Sequence, residues 1–116
     1  MIKKLSVGLL LVLAAELAYA HAVVTEDSLK TTPIHAQKET PVLLSFNSKI
    51  EIGLSQVFLV SKGDKHTLLA IKNGKKQGQI IITVPPQEPG EYAIRLKVFA
   101  ADGHLTEDVI HFSVTQ

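Results

Sequence analysis

Two stretches of this chain carry side chains that suit a metal ion: Ala101-Asp102-Gly103-His104, and His21 within AELAYAHAVVTED, residues 15–27. Asp102 and His104 are two residues apart, so an extended or tightly turned backbone points both to one side. A carboxylate oxygen and an imidazole nitrogen so placed make half of a metal site. Asp-Gly is also a common turn, and a histidine after such a turn more often faces solvent. The pair alone does not establish a site. What precedes His21 changes the weighting.

MIKKLSVGLLLVLAAELAYA has the three zones of a secretory signal: Lys3 and Lys4, an apolar run over Leu5 to Ala15, and the small-x-small signal Ala18-Tyr19-Ala20. A membrane anchor needs about 17–25 apolar residues, and this run is shorter and interrupted by Glu16. The expected organisation is a signal over 1–20, removed on export, and one domain over 21–116 that no longer spans a membrane. Cleavage after Ala18 is disfavoured because Glu16 would occupy the upstream small-residue position. Cleavage after Ala22 has Ala20 and Ala22 suitably placed and would discard His21.

A cut after Ala20 gives His21 a free α-amine, a group that loses its proton at about pH 7.7–8.0. Amine and imidazole then chelate one ion from a single residue. With Asp102 and His104 the set is three nitrogens and one oxygen. Cupric ion favours such a set in a tetragonal plane and tops the divalent affinity order. Zinc takes similar ligands in a tetrahedron and stays open at this point.

Distant groups need a rigid scaffold to meet, and the chain reads as strands. VLLSF (42–46), VFLV (57–60), HTLLAI (66–71), QIIITV (79–84), YAIRLKVF (92–99) and VIHFSV (109–114), with an opening strand over 22–25, make seven. Tyr92, Ile94, Leu96 and Val98 alternate with Arg95 and Lys97; Ile110, Phe112 and Val114 alternate with His111 and Ser113. Lys62-Gly63-Asp64-Lys65 and Asn73-Gly74 offer left-handed turn residues, and Pro85 to Gly90 cannot continue a ladder. Asn47-Ser48 offers a cap for a helical turn over 48–54. The pattern predicts an all-β, immunoglobulin-like Greek-key sandwich or partly open barrel of seven strands.

Composition narrows the functions. The chain has no cysteine, hence no disulfide and no thiolate metal site. Its 12 basic and 11 acidic side chains become equal in number once Lys3, Lys4 and Glu16 leave with the signal. Near-zero charge gives no general attraction to nucleic acid, and Lys72-Asn73-Gly74-Lys75-Lys76 reads as a solvated turn. There is no His-Glu-x-x-His, glycine-rich phosphate loop or GxSxG elbow.

HAVVTEDS after a signal, PVLLSFNSKIEIGLSQVFLV, PPQEPGEYAIRLKVFAADGH and a terminal IHFSV together resemble the CopC family of copper-resistance domains. The resemblance spans the whole mature chain. It implies a periplasmic β-sandwich that binds one Cu(II) through His21, Asp102 and His104, for sequestration, resistance or delivery. It also implies exchange with a membrane copper transporter or another periplasmic copper protein. Ala101 stands where the family usually has serine, and Leu105-Thr106-Glu107-Asp108 where it tends to proline and glycine. The family's early Ser-x-Pro turn is drawn out into Ser28 to Pro33. Met1 is the sole methionine, so the mature chain lacks the thioethers with which some members are thought to hold cuprous ion.

Two other readings compete. A terminal histidine chelate with a second histidine also resembles the histidine brace of copper oxidative enzymes. Against that, the chain has no tryptophan and no evident substrate platform, and Asp102 would fill a position an oxygenase leaves open. A metal-free sandwich module for protein interaction is the third. His111 and His66 read as exposed strand positions, His35 as part of an irregular segment, and Glu26 and Asp27 as solvated acids with a supporting metal role as the lesser reading.

Overall fold

Alternation decides which side of each strand is buried. In the computed structural model, which describes residues 22–116, Ile94, Leu96 and Val98 of one long strand are buried between half-buried Arg95 and Lys97. Phe112 and Val114 are buried between exposed His111 and Ser113. Val42, Leu44 and Phe46, Val57 and Leu59, and Ile80, Ile82 and Val84 complete a single core. Each fully buried Leu, Ile or Val contributes about 1.5–3 kcal/mol, and with no cysteine in the sequence this packing has no covalent help. The expected signal over 1–20 and His21 lie outside the described residues.

Nine strands occur among the described residues: β1 (Val24–Asp27), β2 (Ile34–His35), β3 (Thr40–Phe46), β4 (Gln56–Ser61), β5 (Lys65–Leu68), β6 (Ile71–Asn73), β7 (Gln79–Val84), β8 (Gly90–Phe99) and β9 (Leu105–Thr115). They form a four-stranded sheet, β1-β3-β7-β6, and a five-stranded sheet, β2-β9-β8-β4-β5. The result is the expected all-β sandwich of immunoglobulin type, with two separate sheets rather than a barrel.

Nine strands replace the expected seven for local reasons. HTLLAI is not one strand: β5 pairs with β4, the chain changes sheets at Leu69-Ala70, and β6 pairs with β7. Leu69 is buried at that crossing and its N–H donates to the Val57 carbonyl at 2.8 Å. His35, expected in an irregular segment, lies in β2, which pairs in parallel with the end of β9. The opening strand starts at Val24, because Ala22 is fully buried in the core instead of extending the ladder. β9 begins at Leu105 rather than 109. The helical turn is the 3₁₀ segment Ile52–Leu54 after Glu51, without a side-chain cap, and Asn47 has a different role.

Turn chemistry was partly as expected. Gly63 and Asp64 take φ of 81° and 57° in the β4–β5 hairpin. In the β6–β7 loop the left-handed residue is Gly78, φ 83°, rather than Gly74. A Cβ on Gly78 would stand 2.7 Å from the Phe46 carbonyl oxygen, whereas one on Gly53 would meet nothing within 4 Å. Gly78→Ala should therefore lower stability by about 1–3 kcal/mol, and Gly53→Ala by less than about 0.5 kcal/mol. Urea denaturation of the two variants checks the contrast, and equal midpoints would contradict the packing.

Candidate metal centre

The Asp102–His104 turn closes the long hairpin of β8 and β9. Their ladder runs from Gly90–Val114 to Phe99–Leu105, leaving Ala100 to His104 to reverse the chain. The Ala100 N–H donates to the His104 carbonyl at 3.0 Å, and the Gly103 N–H donates to the Ala100 carbonyl at 2.9 Å. Gly103 has φ 89°, a left-handed conformation that glycine adopts without penalty.

Within this turn the two expected side chains meet. His104 Nδ1 lies 3.1 Å from Asp102 Oδ2, and the His104 backbone N–H donates to Asp102 Oδ1 at 3.0 Å. The side chains are 47% and 36% exposed, so an ion can reach them from solvent. Two atoms bound about 2.0 Å from one ion at right angles are roughly 2.8 Å apart. The observed separation is close to that, and an ion joining both would replace the direct contact between Nδ1 and Oδ2. Glu26 and His111 are exposed on their strands, away from this turn in the chain.

The turn is braced from outside the hairpin. The Ala101 N–H donates to the Lys49 carbonyl at 2.9 Å, Ile50 forms an antiparallel bridge with Ala100, and the Glu51 N–H donates to the Phe99 carbonyl at 2.9 Å. Ser55 Oγ accepts from the Phe99 N–H and donates to the Glu51 carbonyl. The segment between β3 and β4 thus holds the turn. Sequence reading missed this, because backbone bonds leave no mark on residue type; Asn47 and Ser55 carried the only polar signal.

The chain reaches the same end of the sandwich at Ala22. Ala22, Val23 and Val24 line a hollow of about 200 Å³ with Phe46, Val98 and Thr106, and Thr106 pairs with Val98 in the rung next to the turn end of the ladder. Thr106 Oγ1 is buried without a hydrogen-bond partner among the described residues. His21 itself lies outside them, and among the described residues no three His, Asp or Glu side chains converge on one point.

The remaining candidates go elsewhere. Asp27 is not a solvated acid: it is buried, its Oδ1 caps the 3₁₀ turn Ser28–Lys30 by accepting from the Lys30 N–H at 3.2 Å, and Lys30 Nζ lies 3.9 Å from Oδ2. His66 Nε2 lies 2.9 Å from Asp64 Oδ1, with the ring edge-on to Phe58. His35 Nδ1 lies 3.4 Å from the Gln116 carbonyl.

Known proteins share this fold. The family model described as the CopC domain matches residues 24–115. CopC from Methylosinus trichosporium OB3b is similar in structure, with a TM-score of 0.69 and 22% identity over 82% of this chain and 94% of that one. PcoC, a methionine-rich copper resistance protein from Escherichia coli, has a TM-score of 0.60 and 19% identity over 83% of this chain and 100% of that one. No curated protein matches the chain. On the match across residues 24–115, the chain belongs to the CopC domain family, and with it is a non-catalytic copper-binding domain of the periplasm.

Proposed function

We propose that the chain holds one Cu(II) through the amine and imidazole of His21, freed by cleavage between Ala20 and His21, together with Asp102 and His104. The observation that supports this most is the Asp102–His104 pair itself, 3.1 Å apart on a turn open to solvent. Its neighbourhood adds weight: Ala22 lies in the same hollow as Val98 and Thr106, which flank the turn's hairpin stem. His21 is one residue away from Ala22, within about 3.6 Å of extended chain. Three nitrogens and one carboxylate oxygen suit cupric ion over harder divalent ions.

The chemistry is binding and exchange. The ligands leave no position reserved for a substrate, and copper would depart by transfer to a membrane copper transporter or another periplasmic copper protein. Sequestration and delivery both use this site, differing only in which partner accepts the ion.

Three measurements test the reading. Titration of the protein beginning at His21 should give one Cu(II) per chain with a multi-nitrogen electron paramagnetic resonance spectrum; its absence would remove the metal assignment. Retaining Ala20 turns the His21 amine into an amide nitrogen and should weaken binding sharply; unchanged affinity would show that the terminal chelate is wrong. Gly103→Ala forces a side chain into φ 89°, and should lower stability by about 1 kcal/mol and copper affinity with it. Denaturation and titration of that variant read both effects.

A further inference from the structure

Asn47 makes two reciprocal bonds to Val23. The Val23 N–H donates to Asn47 Oδ1 at 2.8 Å, and the Asn47 N–H donates to the Val23 carbonyl at 3.1 Å. Backbone pairing holds this part of the chain on one side only, through the Val23 carbonyl. β1 begins only at Val24, and its register against β3 shifts between Val24 and Glu26. The Val23 side chain is 53% exposed and anchors little. The Asn47 side chain therefore stands in for the missing ladder partner just before β1.

The same short segment also holds the other half of the proposed site. Two residues after Asn47, the Lys49 carbonyl accepts from the Ala101 N–H at 2.9 Å, and Ile50 bridges Ala100. Residues 47–50 thus fasten the chain two residues after His21 and one residue before Asp102. From Val23 to His21 the chain can extend only about 7 Å, at roughly 3.3–3.6 Å per residue. A tether at Val23 confines where the His21 amine can go, and a confined chelate loses less freedom when an ion binds.

We infer that Asn47 is a positioning residue for copper, setting the reach of the His21 amine relative to the Asp102–His104 turn; the inference rests on the three-residue site proposed above. Asn47 touches no metal in this scheme. It acts through Val23, and its neutral amide fixes the chain without placing another charge beside the cation.

The test is a double-mutant cycle on copper affinity, measured by competition with a chromophoric chelator. Asn47→Ala is made in protein beginning at His21 and in protein retaining Ala20. In the first it should weaken Cu(II) binding roughly 10- to 100-fold, the range for groups that orient metal ligands. In the second, which keeps the His21 imidazole but has no free amine on that residue, the further loss should be clearly smaller. Asn47→Asp keeps the acceptor oxygen and should bind within a few fold of the parent, with an unchanged paramagnetic resonance spectrum. If Asn47→Ala does not fold, Asn47→Gln, which moves the acceptor by one methylene, serves in the same cycle. Equal losses in both backgrounds, or no loss in the protein beginning at His21, would overturn the inference. Should retention of Ala20 by itself leave affinity unchanged, the underlying His21 site fails, and the role of Asn47 fails with it.

Discussion

The antiparallel ladder between β8 and β9 is the constraint on which the rest depends. It is unbroken from Gly90–Val114 to Phe99–Leu105, and β4 pairs along the other side of β8. Because side chains alternate with period two, a slip of one residue would turn Ile94, Leu96 and Val98 out of the core and Arg95 and Lys97 into it. Burial of three fully enclosed side chains therefore fixes the register, and the register fixes where the hairpin turns. Asp102 and His104 are positioned by hydrophobic burial in the stem below them, where Val98 pairs with Thr106 two residues from His104.

Much of this was legible in the sequence, and the parts that were not share a physical cause. Strands with clean alternation, such as Tyr92 to Val98 and Ile110 to Val114, declared both their type and their buried face. The meeting of Asp102 with His104 was legible too, since it needs only a two-residue spacing and a glycine between. HTLLAI misled because an apolar run does not record the point where a chain leaves one sheet for the other; Leu69 is as apolar at the crossing as it would be within a strand. β2 was hidden by its two-residue length and its parallel partner far along the chain. Asp27 looked like a solvated acid because its capping bond depends on a 3₁₀ turn that the sequence barely signals. The brace from residues 47–55 is mostly backbone to backbone, which composition cannot show.

Side-chain supply separates this chain from one of the proteins whose fold it shares. The Escherichia coli protein is described as methionine-rich, whereas Met1 is the only methionine here. Thioethers select cuprous ion, so a fold shared with that protein does not bring the same soft-ligand supply. The nitrogen and carboxylate donors of the proposed site would favour the oxidised ion.

β1 is an edge strand, paired only with β3, and the first half of β9 is also an edge, since β2 reaches only Val114 and Thr115. At this corner the two sheets face each other across the hollow lined by Val24, Thr106 and Asp108. Edge strands with few partners are where a domain opens first. An ion bound between the start of the chain and the Asp102–His104 turn would act as a clasp across that corner. Ligands that bind only the closed form stabilise it by mass action. Loading with metal would therefore tighten the least secured edge of the sandwich, and release would loosen it, so that a receiving partner would meet a softer corner in the empty protein than in the full one.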